Sequence, residues 1–369
     1  MKIGHVVVAG EIGGAERMLV TLAKSAETAA EHEIFLLTPS RPLYQIFRDA
    51  DLCVHDRGTV KENPVAFVWR QLGPLDTAWL TRELQHAKVD VVHVHTLGSQ
   101  VLGTRAARAC DLPVVRTEHS TRVLDDPTAW PFARWSLARA AASVAVSAHV
   151  GERVRKKAPW AAKKVSVIPN GVDTDKFVLA PPLPAGKPLT LLFLGRLEPR
   201  KGADLALKAL ARVPGVRLLL CGDGEERADI ARLVSDLGLD ARVELRGHVD
   251  DPAKVIPEAH AILASSRAEG LGIAFLEAMA MGRPVVGLAT GGIREITDPD
   301  TSLVGAPSRE VDAARVDQLA AHIRDAKENL ATLPELGGRA RAKVLASYSR
   351  ASMAAGYAEI YRNVTAARR

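Results

Sequence analysis

The segment Glu269-Gly270-Leu271-Gly272-Ile273-Ala274-Phe275-Leu276-Glu277 carries two carboxylates eight positions apart, with glycines first and helix formers after. On a continuous helix rising ~1.5 Å per residue they would stand about 12 Å apart. That is wider than the ~5–9.5 Å between two acids that flank one bond in a hydrolytic site, so a shared proton is not expected. One acid at each end of an extended ligand, with helix amides beneath its middle, fits the spacing better. The plainer alternative is two unrelated glutamates, one of them solvated. A second constellation lies upstream in Leu194-Gly195-Arg196-Leu197-Glu198-Pro199-Arg200-Lys201-Gly202. Here an apolar run ends in glycine, with the Arg196 guanidinium beside it and the Lys201 ammonium five positions on, before a helical pattern over Ala203–Arg212. A planar fork, a point charge and helix amides suit a diphosphate; the bland alternative is a solvated basic turn. A nucleotide sugar has the matching layout of sugar, diphosphate and ribose.

Other candidates are weaker alone. Gly222-Asp223-Gly224 and Arg246-Gly247-His248-Val249 each follow an apolar run and line strand ends. Ala9-Gly10-Glu11-Ile12-Gly13-Gly14-Ala15-Glu16 leads into a helical pattern, where glycines permit close backbone approach to an anion. It does not spell G-x-G-x-x-G, and no ribose-binding acid follows at the expected distance. His93 and His95 share one strand face by alternation, without an evident third metal ligand. His93 reads as hydrogen-bonded structure, whereas His119, directly after an apolar strand, is the better candidate for touching a ligand. Ile168-Pro169-Asn170-Gly171-Val172-Asp173 is a turn signal. The loops 57–69 and 121–135 carry no interpretable chemistry.

Positioning these groups requires many short strands. Apolar runs at Ile3–Val8, Glu33–Leu37, Val89–Val94, Pro113–Arg116, Ser143–Val146 and Val165–Ile168 alternate with helical stretches. A second series follows at Leu189–Leu194, Val216–Cys221, Val243–Leu245, Ala261–Ala264 and Pro284–Gly287. Near-continuous Val/Leu/Ile runs mark strands covered on both faces, as in parallel sheets flanked by helices. The proline-rich stretch 179–188 separates the series. The expected fold is α/β, with two Rossmann-like domains facing a cleft: 1–180 with 349–369 packing back, and 187–348. Ligands then belong beyond the carboxyl ends of the strands. The tail from Asp312 reads as helical, with a last helix after Ser349 running to about Arg362.

At 369 residues the chain exceeds one comfortable core. Net charge is +6, with aromatics at only 4%; there is no basic stripe with interleaved aromatics, which argues against nucleic-acid binding. The densest basic run, Arg153, Arg155, Lys156, Lys157, Lys163 and Lys164 around Trp160, reads as a solvated helix end, with docking on an anionic lipid or acceptor as the sharper alternative. Three scattered cysteines imply a reducing compartment, and no stretch approaches ~20 apolar residues. A cytoplasmic protein is expected, with peripheral contact at the inner face of the membrane left open.

The motifs resemble the retaining GT-B glycosyltransferases of glycosyltransferase family 4. They occur in family order: Gly13-Gly14-Ala15-Glu16, His119, Ile168–Asp173, Gly195-Arg196 with Lys201-Gly202, Gly222-Asp223-Gly224, the Glu269/Glu277 block with Ala278-Met279-Ala280 and Pro284-Val285-Val286, and Gly291-Gly292 with Glu295. The resemblance implies a hexosyltransferase that needs no cofactor or metal beyond its nucleotide-sugar donor, a UDP-sugar by family frequency. The acceptor would be the hydroxyl of a glycan, a lipid-linked glycan or a small molecule. It implies that Arg196 and Lys201 neutralise the diphosphate, Glu269 meets donor-sugar hydroxyls, and Glu277 holds the ribose. Amides of Gly270, Leu271, Gly272, Ile273 and Ala274 would hold sugar and phosphate, with Gly222, His248 and Val249 completing the donor site. Gly14 would approach the phosphates or acceptor, and His119 the donor sugar. Retention would follow from same-face attack, with the leaving phosphate taking the acceptor proton. The last helix is implied to cross back onto the first domain. Leu271 stands where an aromatic is common, and Ser120 where aspartate is frequent. An epimerase and a non-catalytic sugar-nucleotide-binding protein are the alternatives. The resemblance does not specify an oligomeric state.

Overall fold

The computed structural model describes residues 1–8, 12–38, 40–58, 69–184, 186–305 and 311–368. Residues 9–11 of the first glycine loop, 59–68 of the 57–69 loop and 185 lie outside them. The chain forms two compact units: Met1–Gly171 joined by the segment from Arg350, and Val172–Ser349.

In the first unit, β1 (Lys2–Val7), β2 (Glu31–Leu36), β3 (Cys53–Asp56), β4 (Val91–Val94), β5 (Val114–Glu118), β6 (Ala142–Ala145) and β7 (Val165–Val167) build one sheet in the order 3-2-1-4-5-6-7. Every pairing is parallel. The second unit repeats the scheme with β8 (Thr190–Leu194), β9 (Arg217–Cys221), β10 (Val243–Gly247), β11 (Ala261–Ala264), β12 (Val285–Leu288) and β13 (Ser302–Gly305), ordered 10-9-8-11-12-13. Both orders are doubly wound. The direction of winding reverses between β1 and β4, and again between β8 and β11, and there the loops beyond the strand ends part to leave a crevice.

The central strands are buried along nearly their whole length, as their unbroken apolar runs require. Leu191, Phe193, Leu218, Leu220, Leu263 and Val286 form one core with Leu205, Leu210, Leu319 and Ile323 from the covering helices. The first unit departs from this aliphatic pattern, because His5 and His93 are fully buried at the middle of its sheet.

The two strands absent from the sequence reading, β3 and β13, are both sheet edges. Each has four residues, with no fully buried apolar run to announce it. A second difference concerns the joint. Residues 172–180, expected with the first domain, belong to the second unit. The Val172 N–H donates to the Tyr348 carbonyl at 2.8 Å and the Ala180 N–H to the Met281 carbonyl at 3.1 Å. These backbone bonds attach 172–180 to the second unit ahead of the prolines.

The last helix, Arg350–Ala366, belongs to the first unit. Met353, Ala354, Tyr357, Ala358, Tyr361 and Val364 form its buried stripe at three- and four-residue spacing. Its contacts include β4, helix Gly14–Ala23 and the turn Ala26–Thr28.

Candidate active site

The second unit gathers most of the predicted site at its winding reversal. β8 and β11 are neighbours, so the loops following them, 195–202 and 265–272, lie side by side. They are tied together: Ser265 Oγ donates to the Lys201 carbonyl at 3.2 Å and the Arg267 N–H to the Arg200 carbonyl at 2.8 Å. Lys201 Nζ then lies 2.6 Å from Glu269 Oε2, with Arg200 Nη1 3.9 Å from the other carboxylate oxygen. Only 8% of the Glu269 side chain is exposed. Burial pushes its carboxyl up, but Lys201 and Arg200 outweigh burial and hold it below the usual carboxylate range. Glu269 is therefore an ionised acceptor at neutral pH, suited to hydroxyl donors.

The glycines set how closely these loops stack. A Cβ on Gly292 would come within 1.9 Å of the Gly270 carbonyl oxygen. The loop after β12 therefore rests directly on 269–271, where the Gly292 N–H donates to the Glu269 carbonyl at 3.2 Å. Gly222 has the same role after β9: its Cβ would stand 1.9 Å from the Gly195 carbonyl. Gly272, at φ +90°, opens helix Ile273–Ala280, whose first amides have no helical acceptor. Ile273 and Ala274 supply two of these amides at the helix start. Leu271, backbone and side chain together, is 1% exposed. Glu277 is buried within the helix.

The helix begins at Ile273, four residues after Glu269. The spacing of about 12 Å, which assumed continuous helix between the two glutamates, therefore does not apply. The turn at Gly272 breaks the helical rise, and the pair is set by a loop followed by a helix.

Arg196 does not join Lys201 at Glu269. Its half-exposed guanidinium pairs with Glu198 at 3.1 Å, leaving it a free side toward solvent. His248 lies beyond β10 and pairs with Asp250 at 3.2 Å, and Val249 beside it is half-buried. Arg267, which the sequence reading passed over, anchors the loop. It meets Asp204 at 2.8 and 2.9 Å, Asp312 at 2.5 Å and the Pro199 carbonyl at 2.7 Å. Its partners lie 63 and 45 residues away, so no local pattern could reveal it.

In the first unit, helix Gly14–Ala23 starts at the predicted loop, and the Gly13 N–H donates to Glu16 Oε2 at 2.9 Å. His119 follows β5 directly and is half-buried; burial lowers its pKa to about 4. Its Nε2 lies 3.3 Å from His95 Nδ1. His93 is held on both sides, by Tyr361 OH at 2.7 Å and Thr117 Oγ1 at 2.8 Å. His5 and His32 join this group, and both went unnoticed in the sequence. The signal was the parallel register, which sets His5 opposite His93 and Ile3 opposite His32.

Part of the basic run around Trp160 is engaged locally. Lys164 donates to the Ala140 carbonyl at 2.9 Å, Arg155 to the Val165 carbonyl at 2.9 Å, and Arg134 lies 5.8 Å over the Trp160 ring. Among the described residues, no helix is long and apolar enough to cross a membrane.

Comparison with known proteins agrees with this architecture. Residues 12–176 match Glycosyltransferase Family 4 and residues 188–329 match Glycosyl transferases group 1. The chain is 30% identical over 308 residues to the GDP-mannose-dependent alpha-(1-6)-phosphatidylinositol monomannoside mannosyltransferase of Mycobacterium tuberculosis (strain CDC 1551 / Oshkosh), covering 74% of this chain and 78% of that one. This chain belongs to glycosyltransferase family 4. A phosphatidylinositol N-acetylglucosaminyltransferase subunit from Arabidopsis thaliana is 31% identical over 61% of this chain; the match spans 53% of that protein, about half its length. Among solved structures, Anabaena Alr3699/HepE in complex with UDP and glucose aligns over 98% of this chain and 100% of its own, with TM-score 0.83 at 21% identity. At that identity the likeness speaks to the fold: two parallel-sheet Rossmann-like domains of the GT-B type.

Proposed function

We propose that this family 4 chain is a retaining hexosyltransferase, moving a sugar from a nucleotide-diphosphate sugar to an acceptor hydroxyl. The observation that carries the reading is the Lys201–Glu269 pair at the winding reversal of the second unit, beside the amides that open helix Ile273–Ala280. A cation for the diphosphate and an ionised carboxylate for sugar hydroxyls stand within one hydrogen bond of each other. Lys201 and Arg196 stabilise the departing nucleotide electrostatically, so no metal is required. Glu277 holds the ribose, and His119 hydrogen-bonds a substrate hydroxyl. The relatives include a GDP-mannose-dependent enzyme, and HepE binds UDP-glucose, so both bases belong in the donor panel. Phosphatidylinositol-based acceptors are named among the relatives; glycans and lipid-linked glycans are therefore the first acceptors to try.

The test is acceptor-dependent nucleotide release in the presence of EDTA. Release should vanish or fall at least about a hundredfold in Lys201→Ala and Glu277→Ala, with circular dichroism unchanged. Full activity in both folded variants would refute the site, and sugar conversion without any acceptor would show an epimerase instead.

A further inference from the structure

One face of the first sheet is lined with imidazoles. By strand alternation and register, His5, His93, His95, Thr117, His119 and His32 share the face that Tyr357 and Tyr361 of the last helix cover. Four of the rings are hydrogen-bonded in series. His119 Nε2 meets His95 Nδ1 at 3.3 Å, His95 Nε2 meets His5 Nδ1 at 3.1 Å, and His5 Nε2 meets His32 Nδ1 at 2.8 Å. His32 Nε2 ends the series on Thr28 Oγ1 at 3.0 Å. Burial holds all four rings neutral at ordinary pH.

A neutral imidazole has one N–H and one lone pair. Each contact therefore works only if all four protons point the same way along the chain. Two arrangements meet that condition, with every proton on Nε2 or every proton on Nδ1. The far end decides between them. Thr28 Oγ1 lies 2.9 Å from the Ser25 carbonyl; a hydroxyl proton turned to His32 would leave these two oxygens in contact with no hydrogen between them, whereas one turned to the carbonyl lets Oγ1 accept from His32 Nε2–H. The choice then runs up the chain: each ring is protonated at Nε2, and His119 is left with a bare Nδ1. Among the described residues, no group pairs with that nitrogen.

We infer that His95, His5, His32 and Thr28 are positioning residues that fix His119 as its Nε2–H tautomer, so that Nδ1 is presented as an acceptor for a substrate hydroxyl. The part concerning a substrate rests on the transferase reading above; the tautomer itself does not. The ring nitrogens also raise the question of a metal, because ligand atoms of His5, His93 and His95 lie within 4.8 Å of one another. Both nitrogens of each of these rings already have a hydrogen-bond partner. A cation would have to break the chain to bind.

The experiment is a long-range proton–nitrogen NMR spectrum of histidine-15N-labelled full chain at neutral pH, with His119 assigned by its loss in His119→Gln. The expected result is a bare Nδ1 and a protonated Nε2 at His119. Thr28→Val removes the terminal acceptor and should mix or reverse the tautomer at His119, while Thr28→Ser should restore it. With a working donor and acceptor, kcat should fall about fivefold in Thr28→Val, the worth of one hydrogen bond; the donor KM should hold, and Thr28→Ser should recover kcat. A protonated Nδ1 in the parent would overturn the inference. So would an unchanged His119 signal in Thr28→Val, or stoichiometric Zn2+ whose removal alters the spectrum. If Thr28→Val does not fold, the parent spectrum decides alone. If no donor turns over, the transferase reading fails while the spectrum still judges the tautomer.

Discussion

Lys201 lies 2.6 Å from Glu269 and, with Arg200, keeps that carboxylate ionised where only 8% of its side chain is exposed. On the proposed reading, a phosphate that draws Lys201 away leaves the carboxylate in need of donors, which the hydroxyls of an attached sugar would supply. On that reading a donor with both groups is favoured over a free nucleotide. Protonation dominates the residue scale in the first unit. His5, His93 and His95 have pKa values well below 6.5, and His32 and His119 are lowered to about 4, in each case chiefly by burial. Between about pH 6.5 and 4 the unfolded chain therefore binds more protons than the folded one. The stability tied to these neutral rings is full above pH 6.5 and is lost as pH falls through that window. Each ring contributes up to about 1.4 kcal/mol per pH unit there. All five tryptophans, Trp69, Trp79, Trp130, Trp135 and Trp160, lie in the first unit, so urea unfolding followed by their fluorescence isolates it. The midpoint should drop steeply from pH 7 to pH 5, and a flat midpoint would contradict the buried neutral rings.

At the scale of elements, the proposed donor site depends on loops that touch backbone to backbone. Gly292 has an ordinary helical φ of −68°, so its substitution is opposed by space alone. Gly292→Ala would drive a methyl into the Gly270 carbonyl and displace the loop that carries Glu269. Overpacking of this kind costs about 1–3 kcal/mol, and donor affinity measured by calorimetry should fall at least tenfold with the chain still folded. Wild-type affinity would show that the loop does not need this contact. These contacts also explain what the sequence made legible. Glu269, Gly270 and Lys201 were readable because strand-end glycines and charges sit at fixed offsets within one loop. The central strands were readable because burial on both faces writes an unbroken apolar run. Edge strands β3 and β13 write no such run. Arg267 and the His5–His32 contact depend on which strands become neighbours, and that information is spread over distant parts of the chain. The helix after the glycines was legible too; what failed was the spacing of about 12 Å, which carried the helix back through Gly272, where the positive φ breaks it.

The whole molecule repeats one doubly wound plan twice, but the two sheets are put to different uses. The second is an ordinary aliphatic core that holds a charged, glycine-lined crevice at its winding reversal. The first carries a polar, histidine-lined face sealed by the last helix, which leaves the second unit after Ser349 and is a structural part of the first. The central claim is that the second crevice holds a nucleotide sugar. A ligand that binds only the folded chain stabilises it by about 2.7 kcal/mol at one hundred times its Kd, enough to move a melting transition by several degrees. The most direct measurement is thermal melting of the full chain with UDP-, GDP- and ADP-sugars, alongside folded Lys201→Ala and Glu277→Ala variants. The account predicts that sugars on one base raise the parent's melting temperature by several degrees and leave both variants unmoved. No shift with any donor, or an equal shift in both variants, would contradict it.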